Sequence, residues 1–363
     1  TVRITILLVY SFFSSCRALR FYPMKQKWYL VISLCLTAII GWILYRSVPD
    51  WHQAGLVMIS GNLFWILAGL GFISLHMLLR SLRWRLLLIP AKKKIPVKNL
   101  LSMTLIKYVI NLIPPRMGEI AASILLARKE RLPASTVIAS SMFERILDLL
   151  AVTILFIFYL VFFAGKYIPP SKTGQEIFDM IRFSAIAGFC TVTIAIIVLI
   201  PFLRSHRWHH RIPEMIRKHV LFFLDGFRAM QNRATAGKII ALSLLIWVTI
   251  CAQLWCLVRA YIDSFPMTGT FLILAVTVVG VSIPTPGGVG GYQYLMSLSL
   301  IQFFRSFLSK FDAESQAAGI SNGTYVFSMV PVILIGLFLL HREGFTLGRA
   351  AKLSSEQTET SRG

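Results

Sequence analysis

Three groups of residues in this chain have the types and spacing to do chemistry. The first is Ile113-Pro114-Pro115-Arg116-Met117-Gly118-Glu119. The paired prolines stop any helix arriving from the N-terminal side, because neither has an N–H and each restrains the residue before it. A helix restarting near Met117 aims its free N–H groups and positive dipole end at the same point. Arg116 adds a planar fork of donors suited to a phosphate. Arg116, Gly118 and Glu119 are therefore candidates for holding an anion. The alternative is that Arg116 only pairs with Glu119, or that Glu119 caps the helix.

The second group is Glu144, Arg145 and Asp148, in an otherwise apolar segment. Glu144 and Asp148 share a helix face at i, i+4, and Arg145 points to another. Charges this deep in a membrane segment cost several kcal/mol unless paired or wetted. They should face the first group, where Arg116 and Lys107 are available as partners; a purely structural ion-pair cluster is the alternative. The third group is the run Pro284 to Gly291, with Gly287, Gly288 and Gly290, followed by Gln293. Glycines let backbone approach a ligand and let successive N–H groups form an anion-binding nest. They equally allow close helix packing.

Other chemistry is not encoded. There is no GxSxG, P-loop or HExxH pattern. His206, His209 and His210 form an HxxHH in a basic loop, but no carboxylate or cysteine completes a ligand set, and they fit a solvated face. His76 is a lone helical histidine. The five cysteines form no CxxC and suit small buried apolar positions. No catalytic residue, metal site or cofactor is expected.

The elements that position these groups must be membrane helices. Of 363 residues, 56% are hydrophobic and 14% charged, and the mean hydropathy is +0.71. Soluble domains are nearer one quarter charged. Six segments are long and apolar enough to be full crossings: 28–45, 61–80, 134–164, 182–203, 238–262 and 319–341. Two further apolar stretches, 99–128 and 268–308, are broken by the first and third groups. The net charge of +22 sits in short loops rather than on a folded basic face, which argues against nucleic acid and for anionic lipid. The segment from Arg80 to Lys98, with Arg83 and Trp84, fits an interfacial amphipathic piece lying on that lipid.

Loop charge places 80–98, 128–131 and 204–238 on the cytoplasmic side, and both chain ends with them. Each broken stretch then lies between two loops on one side and must enter and return. The expected fold is an all-α polytopic membrane protein with six full transmembrane helices and two re-entrant broken-helix hairpins in an inverted repeat. Eight transmembrane helices are the alternative. The expected units are 24–164 and 165–341, with a cytoplasmic tail at 342–363; residues 1–23 fit a start-site artefact or leader, since Met24 is followed by Lys25, Lys27 and an apolar run. Inverted repeats with discontinuous elements are a transporter architecture, with the site where the repeats meet.

At these residues the chain resembles the lysylphosphatidylglycerol synthase transmembrane region family, also called the flippase-like domain family. The resemblance is carried by Asn111 to Glu119, Phe143-Glu144-Arg145-Ile146-Leu147-Asp148, Pro284 to Gly290 and the Arg80-Ser81-Leu82-Arg83-Trp84 segment, in order, over Met24 to His341. The chain departs at Ala122, where the family commonly has arginine, and at Gln293, where it commonly has glutamate. Members that synthesise aminoacylated phosphatidylglycerol carry a soluble domain after the membrane part, and this chain ends 22 residues past His341.

The resemblance implies a translocator in a bacterial inner membrane, moving an anionic phospholipid or polyprenyl-linked lipid. In that reading Arg116, Gly118, Glu119, Gly287, Gly288, Gly290 and Gln293 hold the head group, and Glu144, Arg145 and Asp148 line its polar path. Two other readings stand beside it: a membrane-embedded transferase on lipid or polyprenyl phosphate, with Glu119, Glu144 or Asp148 as base, and a scaffold for a separately encoded lipid-modifying synthase. A second copy of the chain or such an enzyme is the expected protein partner.

Overall fold

A computed structural model describes residues 24–112, 117–163, 175–176, 179, 182–183, 232–308 and 311–344. Residues 1–23, all but the first two residues of the crossing expected at 182–203, and Ile113 to Arg116 lie outside the described residues. Ten α-helices are described: α1 Met24–Ser47, α2 Trp51–Ile59, α3 Leu63–Leu88, α4 Val97–Ile110, α5 Gly118–Glu130, α6 Ala134–Phe162, α7 Arg233–Arg259, α8 Met267–Ser282, α9 Gly291–Phe303 and α10 Ala313–Arg342. No strand is described. The protein is an all-α polytopic membrane protein, and α3, α6, α7 and α10 are each long and apolar enough to cross a bilayer.

The two broken stretches are antiparallel hairpins. In the first, Asn99 at the start of α4 donates from Nδ2 to Glu130 Oε1 at the end of α5 (2.5 Å). At the other end Gly118 N donates to Asn111 Oδ1 (2.8 Å). A Cβ on Gly118 would run into the Lys107 carbonyl and the Asn111 side chain, so glycine is what lets the arms close at the tip. In the second hairpin Gly269 of α8 lies against Phe304 just past α9, and Gly280 lies against Gly291 at the tip, where an added Cβ would sit 2.5 Å from the Gly291 carbonyl. Arms of 13 to 16 residues reach only about 20–24 Å at the helical rise. Each arm is too short to cross the roughly 30 Å hydrocarbon core, and its partner turns back beside it. Eight full crossings are therefore excluded in favour of two re-entrant hairpins.

The hairpins approach one another from opposite ends of α10. Along its first half, α10 meets the second hairpin: Ser321 pairs with Ser297 (2.9 Å), Thr324 accepts from the Tyr292 hydroxyl, and Tyr325 donates to the Gly287 carbonyl at the tip (2.8 Å). Along its second half it meets the first hairpin, with Gly336 against Leu105 and Val109 and Leu340 in one cluster with Trp84, Leu100 and Ile106. Pro331 interrupts the helix between these halves, removing one backbone hydrogen bond there. The tips meet in the middle, where a Cβ on Gly287 would lie 2.9 Å from Leu112.

Helix packing has an internal symmetry. Among α3 to α10 the principal contacts are α3 with α4, α6, α7 and α10; α4 with α5 and α10; α5 with α6; α6 with α7 and α8; α7 with α8 and α10; α8 with α9; and α9 with α10, while α2 packs separately on α10. Exchanging α3, α4, α5 and α6 for α7, α8, α9 and α10 maps this set onto itself. Only α1 and α2 lack a counterpart among the described residues.

Two boundaries differ from the sequence expectation. The link at 46–60 contains α2, which Asp50 caps by accepting from His52 N (2.8 Å) and Gln53 N (3.0 Å); its Ala54 and Val57 pack on Gly319 of α10. The span expected at 61–80 runs on to Leu88, so Arg80, Arg83 and Trp84 are helical and buried rather than interfacial. The basic pattern hid a period: 80, 83 and 84 fall on one face at i, i+3 and i+4, and that face packs inward.

Candidate functional site

Four helices, α3 to α6, carry the charged cluster. On α6, Glu144 and Asp148 point inward, 4% and 5% exposed. Asp148 bridges two arginines of α3: its Oδ2 accepts from Arg80 Nη1 at 2.9 Å, and its Oδ1 lies 2.9 Å from Arg83 Nη2, an ion pair without hydrogen-bond alignment. Glu144 Oε1 lies 3.5 Å from Arg83, and its Oε2 lies 3.9 Å from Lys107 of α4. Arg83 also donates to Ser243 of α7 (3.1 Å). The Lys107 ammonium stands 5.7 Å over the Trp84 ring, which is itself fixed by donating to Ser140 (2.9 Å). Arg145 turns away from this face, as the i+1 position requires, and pairs across to Glu119 in the first turn of α5.

The cluster carries one charge too many. Its cations are Arg80, Arg83, Lys107 and Arg145, and its carboxylates are Glu119, Glu144 and Asp148. With each group in its ordinary charge state, four positive charges face three negative ones among the described residues. Buried charge in a membrane needs a partner or water, and three carboxylates leave one cation's worth unmatched.

A cavity of about 590 Å³ opens beside the cluster, where the two hairpin tips approach. Arg80, Arg145, Glu119 and Asp148 line one side, with Tyr108 and Asn111. Thr285, Gly287, Gly288, Tyr292 and Tyr325 line the opposing tip. Leu149, Val152, Leu274 and Val278 extend the lining with apolar surface. The volume lies in the ordinary range for small-ligand sites, and the mix of a charged end and an apolar wall suits an amphiphile.

Most of the residues singled out from the sequence converge here. Glu144 and Asp148 join Arg80, Arg83 and Lys107 in one network, and Arg145 and Glu119 form a separate pair at the cavity edge. Arg116 falls outside the described residues. Gly118 closes the first tip. Gly287 and Gly288 line the cavity, with φ of 64° and 76° that only glycine adopts without strain. Gly290 instead lies under Ile40 of α1. The glycines do not form the expected nest of donors: Gly288 N and Val289 N bond to the Thr285 and Pro286 carbonyls, and Gly290 N donates to Gln293 Oε1 (2.7 Å). Gln293 is buried beneath the tip and holds it.

Sequence reasoning missed His76 and the depth of Arg80 and Arg83. His76, one turn before Arg80 on α3, is 6% exposed and lines the cavity with Gln253 and Ser328. The available signal was spacing along one helix face: Arg80 four residues past His76, with Arg83 and Trp84 three and four residues past Arg80. Loop-charge counting ignores that spacing.

Outside the membrane part of the cluster, the base of the first hairpin is stapled. Glu130 accepts from Lys92 Nζ (2.6 Å) as well as Asn99. Burial works to raise its carboxyl pKa, but the hydrogen bonds from Lys92 and Asn99 prevail and hold it below its ordinary value.

Comparison with known proteins gives the family. The family pattern described as Lysylphosphatidylglycerol synthase TM region matches residues 30–336. No curated protein and no solved structure matches the chain. The match spans both hairpins and every member of the charged cluster. By its sequence over those residues, this chain belongs to the lysylphosphatidylglycerol synthase transmembrane region family.

Proposed function

We propose that the protein is a lipid translocator, moving an anionic phospholipid or polyprenyl-linked lipid between leaflets of a bacterial inner membrane, with both termini cytoplasmic. The observation that carries this reading is the unmatched positive charge beside a cavity at the meeting point of two opposed hairpins. An anionic head group supplies the missing negative charge, and the apolar wall accommodates the start of an acyl or prenyl chain. Tips that approach from opposite sides give each leaflet its own half of the path, as alternating access requires. The family name, which refers to a phospholipid synthase, points to lipid as the class of molecule handled.

The transferase reading has less support. Glu119, Glu144 and Asp148 each already face a lysine or arginine, so among the described residues no cavity carboxylate is free to take a substrate proton.

The test is leaflet exchange of head-group-labelled lipid in proteoliposomes. Anionic label exchanging well above empty liposomes, with a zwitterionic label lagging, supports the reading. Folded protein that exchanges neither phospholipid nor polyprenyl phosphate returns the choice to a transferase or a scaffold.

A further inference from the structure

A second cation sits at the other end of the membrane part, far from the cluster. Arg259 is the last residue of α7. Its guanidinium carbon lies 4.6 Å from the centre of the Trp65 ring of α3 and 5.3 Å from that of Trp255 on its own helix. The two indoles meet edge to face at 5.4 Å. Trp255 is locked by donating from Nε1 to the Phe265 carbonyl (3.1 Å), and Asn62 N, just before α3, donates to the Ala260 carbonyl (2.8 Å). The arginine is thus held by two anchored rings at the joined ends of two crossing helices.

What it lacks is a partner for its donors. Among the described residues Arg259 makes no ion pair and no hydrogen bond, and its Nε is buried without an acceptor. Neither ring offers a hydrogen-bond acceptor, so the terminal N–H groups of the guanidinium remain without a partner, and they are the groups that grip a phosphate with two parallel hydrogen bonds. The surroundings fit a lipid rather than a dissolved ion. Ile59, Leu63 and Phe64, beside Trp65, are 73%, 68% and 69% exposed, and tryptophans at the end of a crossing helix mark the level of lipid head groups.

We infer that Arg259, framed by Trp65 and Trp255, is a docking site for the phosphate of a membrane lipid in the leaflet at the C-terminal end of α7. The site is separate from the cavity: Arg259 lies six residues past Gln253 of the cavity lining, about 9 Å along the helix, and Arg80 lies fifteen residues past Trp65, about 22 Å. It does not depend on translocation, since a lipid docks here whether or not the cavity transports one.

The test is lipid retention by the purified full chain in native mass spectrometry, titrated with dihexanoyl phosphatidylglycerol, for wild type, Arg259→Gln and Arg259→Lys. The expected result is one lipid per chain whose affinity falls about tenfold in Arg259→Gln, as loss of a bidentate charge-assisted pair implies, with Arg259→Lys between the two. Dioctanoylglycerol, which has no phosphate, and excess inorganic phosphate should leave that lipid bound. Equal retention by wild type and Arg259→Gln overturns the site. Displacement by inorganic phosphate overturns its assignment to lipid. Should Arg259→Gln not fold, retention by Arg259→Lys equal to wild type overturns the role of the guanidinium fork.

Discussion

Replacing Asp148 by asparagine removes one charge while keeping volume and one acceptor oxygen. In the native protein that charge serves two guanidiniums at 2.9 Å each, with side chains 10%, 0% and 7% exposed for Arg80, Arg83 and Asp148. Arg83 keeps Glu144 at 3.5 Å and Ser243. Arg80 keeps no carboxylate. Two magnitudes compete: neutral side-chain hydrogen bonds between membrane helices average only about 0.6 kcal/mol, whereas removing one member of a buried ion pair costs about 3–5 kcal/mol. The second governs, because arginine stays charged and cannot escape by losing a proton. Arg80 lines the adjoining cavity rather than a closed core, which sets the expectation near the lower bound. Asp148→Asn should therefore destabilise by about 3 kcal/mol, roughly a hundredfold in the folding equilibrium. Reversible unfolding in mixed micelles reads this directly. The double variant Arg80→Gln with Asp148→Asn should recover part of the loss, since it deletes the stranded cation. A single variant within about 1 kcal/mol of wild type would refute the claim that this pair is buried.

Other outcomes follow from the same geometry. Gly118→Ala should open the first hairpin tip, because the new methyl meets the Asn111 amide and the Lys107 backbone; overpacking of this kind costs about 1–3 kcal/mol, visible as a lowered thermal midpoint. Glu130 is held below its ordinary pKa, so its staple contributes stability above the unfolded carboxyl pKa and loses it as pH falls through the lower folded value. Protection factors at the base of α4 and α5, taken relative to the intrinsic exchange rate at each pH, should accordingly fall in acid, and Glu130→Gln should flatten that dependence; an unchanged profile would remove Glu130 from the staple.

The fold was largely present in the sequence because membrane insertion leaves plain marks. Charge-free runs set the crossings, and Pro114, Pro115 and the 284–291 run marked where two stretches turn back. Loop charge then required those stretches to return, and the antiparallel contacts Asn99–Glu130 and Gly269–Phe304 are that return. The candidate site was only half present. Glu144 and Asp148 announced themselves as charges in an apolar helix, with Lys107 as an available partner, but Arg80 and Arg83 did not announce themselves as the others. Arg80 and Arg83 lie at the start of a basic run, and composition alone assigns such a run to the membrane surface. Only the direction of the face on α3 separates two buried arginines from the exposed Lys93, Lys94 and Lys98 beyond them. The glycines of the second tip were found, yet their N–H groups turn inward, since conformational freedom at a position does not say where its donors point.

The central claim is that the surplus positive charge holds the anionic head group, and Lys107 tests it most directly. Lys107→Met keeps the length of the side chain, removes the weakest ion pair of the cluster at 3.9 Å, leaves Glu144 with Arg83, and brings the cluster to three charges of each sign. The measurement is leaflet exchange of a head-group-labelled anionic lipid in proteoliposomes, wild type beside Lys107→Met, at matched folded protein. Exchange by wild type that drops at least about tenfold in the variant, the factor given by about 1.4 kcal/mol of lost binding, is what the surplus charge predicts. Exchange at the wild-type rate by folded Lys107→Met would contradict it.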